Sequence, residues 1–432
     1  MYTELYDLIL GRIYEYDQKL HALINIDIDA NSVGYIFDDN SKRNNPNSDK
    51  PLFGLPFSVK DTILTSGIVT TAGTDLMETS RQAEIVTILR ALGGFVISKT
   101  NCPKFSLDIQ TFNDILPPTQ NPYAPELTSG GSSGGSAVSV AMGFDTFSVG
   151  TDLNGSLRIP ATFCHVCSIK PTEDLLPVDG VLPPLKPVDV KRYNLTVGFL
   201  ARRASDLSYI MESVLEYLMV KQEKKSGVPT IGITPFFEGV QTDDRIILNI
   251  RNLREFLELN YKVSDINPAF DLKKLTRVQG VLANSYIHLD HEYLDHVNPN
   301  LLSSSEDVEW AVEEKRIVRK MVDDIFQTID YWILPVTPTL PFPHNLNHAP
   351  ILINGEYVNY WKGTLPYCTP FSVSGHPVVT LPMTLIDGIP FGVQIVGRYG
   401  RDLELLEFAK ILDDKLDNKQ FPTIFNEIFS EY

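Results

Sequence analysis

Residues 128–172, TSGGSSGGSAVSVAMGFDTFSVGTDLNGSLRIPATFCHVCSIKPT, constrain the fold more than any other stretch of the chain. Four glycines and two adjacent serines fill positions 130–135. An apolar run follows over 137–142, then a short β-like run over 147–150 and a second polar turn, Asp152-Leu153-Asn154-Gly155-Ser156. Glycine loses more backbone freedom on folding than any other residue, so this density belongs where φ must be positive or another group must reach the main chain. A helix and a strand between the two turns can bring them together. Each turn then delivers a serine, and both leave backbone N–H groups unpaired. A hydroxyl beside a cluster of amide donors is the raw material of acyl transfer: a nucleophile and a cradle for a developing oxyanion.

Composition narrows the partners. The formal net charge of −17 argues against a nucleic acid, whose phosphates are bound by Lys and Arg that displace counterions. No apolar run approaches the roughly 20 residues that span a bilayer, so no membrane insertion is expected. The N-terminus, MYTELYDLILGRIYEYD, carries acids from its fourth residue and has no basic start, unlike a secretory signal. A cytoplasmic protein follows. Four cysteines in 432 residues make no disulfide framework. Cys164 and Cys167 match C-x-x-C but have no second ligand pair, and they read as core.

Elsewhere the patterning alternates between helix and strand periods. Residues 2–17 read as a helix and 22–28 as extended. Residues 56–59 read as a strand ending in Lys60 and Asp61, and 82–99 as a helix, a Gly-Gly stop and a strand. Helices are expected over 204–219, 243–259 and 402–416, and strands over 229–235, 331–337, 377–382 and 391–396. The stretch 266–330 is charge-rich and reads as helical. With no repeat and no Ser/Gly linker, the expectation is an α/β chain, one domain over 1–432, with a large mixed, mostly buried sheet and helices on both faces.

At this point the residues resemble a known family. GGSSGGSAVSVAMG, TDLNGSLRIPATFC and SIKPT resemble, in order and spacing, the signature block of the amidase signature family of serine hydrolases. GLPFSVKDTI looks like that family's lysine segment, and TTAGT (70–74) and TQNPYAPE (119–126) follow as in the family. VGFLARRASDL, SGHPVVTLP and PFGVQIVGRYGRDLELLEFA are similar to its later segments. The signature core spans about 50–215, and a less regular region expected to shape the substrate pocket spans about 260–370.

The resemblance implies a Ser-cisSer-Lys triad. Ser156 would be the nucleophile, Ser132 the bridge through a cis peptide, and Lys60 the base. Ser133 would support Lys60 by hydrogen bonding, and the backbone N–H groups of Leu153, Asn154, Gly155 and Ser156 would form the oxyanion hole. The implied activity is hydrolysis of a linear carboxylic amide through an acyl-enzyme on Ser156. It needs a small-molecule amide substrate, no metal and no other cofactor, and is compatible with a homodimer. Physical chemistry agrees: a serine needs a base, and a lysine is one only when burial keeps it neutral.

Other readings compete with this one. Gly131-Ser132-Ser133-Gly134-Gly135 satisfies G-x-S-x-G, but a nucleophile elbow needs a preceding strand and a late histidine such as His376, His344 or His348. His288, Asp290, His291, Asp295 and His296 cluster without a metal-ligand spacing. Tyr360, Trp361, Tyr367 and Phe371 suit either a pocket wall or a core. Four departures from the family's pattern stand out: Asn154 for a glycine, where a left-handed turn is expected, His165 and Ser168 for glycines, Lys104 for an acid and Phe199 for a proline. They motivate two alternatives, a catalytically weakened amidase-fold binding protein and an amidotransferase-type subunit. TTAGT lacks the cysteine usual in the latter branch.

Overall fold

The computed structural model describes residues 2–26, 49–183, 194–222, 227–287, 303–416 and 422. Its strands, in chain order, are β1 (Leu23–Ile26), β2 (Pro56–Lys60), β3 (Phe95–Thr100), β4 (Phe147–Asp152), β5 (Cys167–Lys170), β6 (Thr196–Ala201), β7 (Thr230–Ile233), β8 (Lys262–Asp265), β9 (Tyr331–Pro335), β10 (Ile351–Ile353), β11 (Glu356–Val358), β12 (Val378–Ile386) and β13 (Ile389–Val396). Eleven of them form one sheet in the order β1-β3-β2-β4-β6-β5-β12-β13-β9-β7-β8, and β10 pairs with β11 in a separate hairpin. β2 runs parallel to β3 and β4, and β7 runs parallel to β8 and β9. The strands between these groups are antiparallel. The α/β class and the large mixed sheet are therefore as the sequence indicated.

Central strands are buried on both faces, which is why their sequences read as continuous rather than alternating. Along β6, Val197, Phe199 and Ala201 enter the large core under the helices Glu84–Ala91, Ala204–Tyr217 and Asp402–Leu416, whereas Leu200 enters a second core on the other side. That second core belongs to the helices Tyr2–Leu20 and Gly134–Met142. Every residue of Gly134–Met142 is buried, and the helix stops at Gly143 in the left-handed conformation. It lies so close to β3 that a Cβ on Gly135 would stand 2.4 Å from the Asn101 amide nitrogen. Glycine is thus required for the approach that sets the two serines against the sheet.

Several elements depart from expectation. β5, β6 and β8 were not anticipated as strands, nor were the hairpin β10–β11 and the short helices Arg158–Phe163 and Thr369–Ser374. Residues 266–330 are helical over Leu272–Ile287 and Ser305–Ile325. His288, Asp290, His291, Asp295 and His296 lie outside the described residues.

Candidate active site

Alternation along β2 sends Phe57 and Val59 into the large core and leaves Ser58 and Lys60 on the opposite face, the one covered by Gly134–Met142. Ser58 there hydrogen-bonds Ser148 of β4 at 2.7 Å, and Lys60 runs on to the glycine-serine loop. The Lys60 Nζ is 2.6 Å from Ser132 Oγ and 2.9 Å from Thr151 Oγ1, and the side chain is fully buried. Burial lowers its pKa to about 8, although the Cys102 and Asp152 side chains pull the other way.

The peptide between Gly131 and Ser132 is cis. Thr111 pins this loop, donating its hydroxyl to the Gly130 carbonyl at 2.9 Å and accepting from the Gly134 amide at 3.0 Å. The two turns are tied directly, because the Ser133 amide donates to the Ser156 carbonyl at 3.1 Å. Ser133 does not take the place expected of it: its hydroxyl donates to the Thr151 carbonyl at 3.3 Å. Thr151, which the sequence did not single out, supplies the second hydroxyl on Lys60.

The turn carrying Ser156 is built around a buried ion pair. Arg158 grips Asp152 through Nε at 3.0 Å and Nη2 at 2.9 Å, and neither side chain is exposed. Burial alone would raise the Asp152 pKa, but Arg158 and the Gly155 amide bring it down to about 2. Arg158 also reaches the Cys368 carbonyl at 3.0 Å and Ser372 Oγ at 2.6 Å, so the turn is bolted to the helix Thr369–Ser374. Asp152 accepts from the Gly155 amide at 2.7 Å and the Leu157 amide at 3.1 Å. Gly155 is thereby removed from the expected set of oxyanion donors. Among the described residues, no hydrogen bond engages the Leu153, Asn154 or Ser156 amides.

Ser132, Thr151 and Ser156 share the wall of one narrow cleft, with Phe105, Ser106, Leu107, Leu153, Val181, Leu182 and Leu195 opposite and around them. Ser156 keeps 7% of its surface open. Lys60 is not on that wall and meets the cleft only through Ser132 and Thr151. No Ser132–Ser156 hydrogen bond is present among the described residues.

The departures from the family's pattern each find a physical setting. The positive φ in the turn falls at Gly155 (103°), not at Asn154, whose side-chain oxygen is buried without a partner. His165 sits at φ 54° in a buried site, edge-on to Tyr123. Ser168 keeps a buried, unpaired hydroxyl in β5. Phe199 packs edge-on to Phe147, and Lys104 opens a single 3-10 turn.

The rival motifs resolve as structure. All four cysteines are free and buried. His376 is buried between Ser374 and Asp323 and stacks on Phe326. Residues 129–133 follow no strand, so the nucleophile-elbow geometry is not formed. Tyr360, Tyr367 and Phe371 are core, while Trp361 is 39% exposed. Among the described residues, no group of three or more His, Cys, Asp or Glu is arranged to hold a metal, and no helix is long and apolar enough to cross a membrane.

A sheet of this order and a buried lysine-serine contact beside a glycine-rich turn define a class. The family model described as Amidase matches residues 4–243 and 284–406, and the chain belongs to that family, the amidase signature enzymes. The A subunit of a glutamyl-tRNA(Gln) amidotransferase from Exiguobacterium sp. is 34% identical, over 98% of this chain and 95% of its own length. Its counterpart from Thermus thermophilus is 27% identical, over 84% and 85%. Among solved structures, an amidase superposes with a TM-score of 0.84 at 27% identity over 95% of both chains. A 6-aminohexanoate cyclic dimer hydrolase with its substrate has the same fold, with a TM-score of 0.80 at 22% identity over 98% of this chain and 96% of its own.

Proposed function

We propose that this chain hydrolyses a carboxylic amide to the acid and an amine or ammonia, with Ser156 as nucleophile, Ser132 as proton bridge and Lys60 as base. The observation that carries the reading is the buried Lys60 Nζ 2.6 Å from Ser132 Oγ, which shares its cleft with Ser156. In the proposed sequence, Ser156 Oγ attacks the carbonyl carbon while its proton passes to Ser132 and the proton of Ser132 passes to neutral Lys60. The tetrahedral oxyanion is held by the Leu153, Asn154 and Ser156 amides, fixed donors that need no rearrangement as charge develops. Collapse breaks the C–N bond, and Lys60 returns its proton through Ser132 to the leaving nitrogen. Water then cleaves the acyl-enzyme by the same route.

Apart from the hydroxyls of Ser106, Ser132, Thr151 and Ser156, the described cleft is lined by Phe105, Leu107, Leu153, Val181, Leu182 and Leu195 and carries no charged side chain, which supports an uncharged acyl group. The test is release of amine or ammonia from a panel of aliphatic and aryl amides, with glutamine alongside. Turnover lost in Ser156→Ala and in Lys60→Met supports the reading, and turnover retained by both overturns it.

A second reading follows from the relatives that are named as amidotransferase subunits. In it the chain is one component that liberates ammonia from an amide for transfer elsewhere. Preference for glutamine over apolar amides, with turnover only in the presence of a further component, would decide for it. The absence of turnover on every amide, with binding retained, would decide for a weakened binding protein.

A further inference from the structure

Gln279 lies in the middle of the helix Leu272–Ile287, is 5% exposed, and belongs to the less regular region expected to shape the substrate pocket. Its Nε2 donates to the Leu153 carbonyl at 3.0 Å. Its Oε1 accepts from Asn194 Nδ2 at 2.7 Å, and Asn194 is itself buried, just before Leu195 of the cleft wall. A side-chain amide has one acceptor and two donors, so its orientation is set when both ends are occupied. Asn194 occupies the oxygen, which turns the Gln279 nitrogen toward Leu153.

The consequence runs through the peptide plane. The Leu153–Asn154 peptide is not among the cis bonds, so its C=O and N–H point in opposite directions across a rigid plane. Holding the Leu153 carbonyl toward Gln279 therefore aims the Asn154 N–H the other way, and no described residue takes that N–H. At the other end of the turn, Asp152 accepts the Gly155 amide at 2.7 Å. Among the described residues, the peptide at 153–154 has no clamp from within the signature segment, and Gln279 provides one from outside it.

We infer that Gln279, oriented by Asn194, is a positioning residue that aims the Asn154 amide at the developing oxyanion. This rests on the proposed amide hydrolysis at Ser156. Gln279 touches no reacting atom and meets the cleft only through Leu153, a residue of its wall. It acts on the transition state by fixing one donor, and it joins the helix Leu272–Ile287 to the chemistry.

Two variants separate positioning from packing. Gln279→Glu keeps the acceptor for Asn194 but replaces the donor facing Leu153 with an oxygen that repels it. Gln279→Met removes both polar ends at similar length. Removal of an oxyanion donor costs about 10²–10³ in kcat, so a misaimed one is expected to cost about tenfold to a hundredfold. The probes are an amide turned over by the wild type and a fluorophosphonate, whose phosphoryl oxygen enters the same hole. In both variants, measured well below each variant's melting transition, kcat and the labelling rate should fall at least tenfold, with KM within about threefold. Asn194→Leu should show the same split to a smaller degree.

Wild-type labelling rates in both Gln279 variants, or a loss confined to KM or to stability, overturn the inference while leaving the hydrolase reading intact. A wild-type chain that neither labels nor turns over any amide overturns the hydrolase reading, and with it this one.

Discussion

Lys60 and Lys99 stand on neighbouring strands, both fully buried, with pKa values that burial lowers to about 8. They face opposite ways: Lys99 is paired across the sheet with Val59, and Lys60 with Thr100, whose hydroxyl meets Ser136 on the helix side. Lys99 Nζ donates to the Ile63 carbonyl and, at 2.8 Å, to Thr70 Oγ1, with an Asp61 carboxylate oxygen 3.9 Å away. Lys60 has two hydroxyls, and those hydroxyls line the cleft. A lowered proton affinity is therefore not what would distinguish the proposed base. The distinction lies in what the nitrogen touches: a closed structural pair on one face, an open route to Ser132 on the other.

The sharpest way to break that contrast is to remove each amine in turn. Lys60→Met should lower kcat/KM for an amide by about 10³, within the range for loss of a general base, and Lys99→Met by less than tenfold. Steady-state kinetics on matched substrates measures both, and equal losses would erase the distinction.

The pH profile sharpens it further. Only neutral Lys60 accepts a proton, so kcat/KM should rise with pH to a plateau above about 8. Below that it should fall tenfold per unit, to about a hundredfold under the plateau at pH 6. Lys99→Met should leave the position of this limb unchanged.

Stability should respond in opposite directions. A lysine held at about 8 instead of 10.5 binds its proton more weakly when folded, which destabilises by up to about 3 kcal/mol at neutral pH. This penalty is complete below about pH 8 and vanishes above about 10.5. Lys60→Met should therefore raise stability at pH 7, with the gain disappearing toward pH 10.5. Lys99→Met relieves the same penalty but strands the buried Asp61, which costs about 3–5 kcal/mol when a buried pair is broken, so stability should fall by at most about 2 kcal/mol. Denaturant titrations across pH check both signs.

The smallest expected change is Asn154→Gly. It removes a buried unpaired oxygen, worth about 1 kcal/mol, and adds backbone freedom costing about 0.5–1 kcal/mol. Stability and turnover should stay near wild type. A tenfold gain in turnover would mean that the Asn154 side chain obstructs the hole.

Much of this was legible in the sequence, and the exceptions share physical causes. Lys60 stood out as an ionisable residue ending an apolar strand, but its proposed role came from the resemblance; the two turns were marked by their glycines. β5 and β6 were missed because strands buried on both faces show no alternation; VGFLARRASDL resembled a later segment of the family, but nothing in it marked its first half as β6. Thr151 gave no signal, since one hydroxyl in a β run resembles any other. The Asp152–Arg158 pair was present in TDLNGSLR, where two opposite charges bracket the serine turn, but nothing in the chain order says that both are buried. Gln279 sits in a helix whose partners are far away in sequence, and only the assembled fold brings it to Leu153.

The most direct measurement is fluorophosphonate labelling followed by peptide mapping, in the wild type and in Lys60→Met, at several pH values. The relay from Lys60 through Ser132 predicts a single adduct on Ser156, formed at a rate that rises with pH through about 8 and falls about 10³-fold when residue 60 is methionine. An adduct on another residue, or one on Ser156 that forms equally fast without the amine, would contradict it.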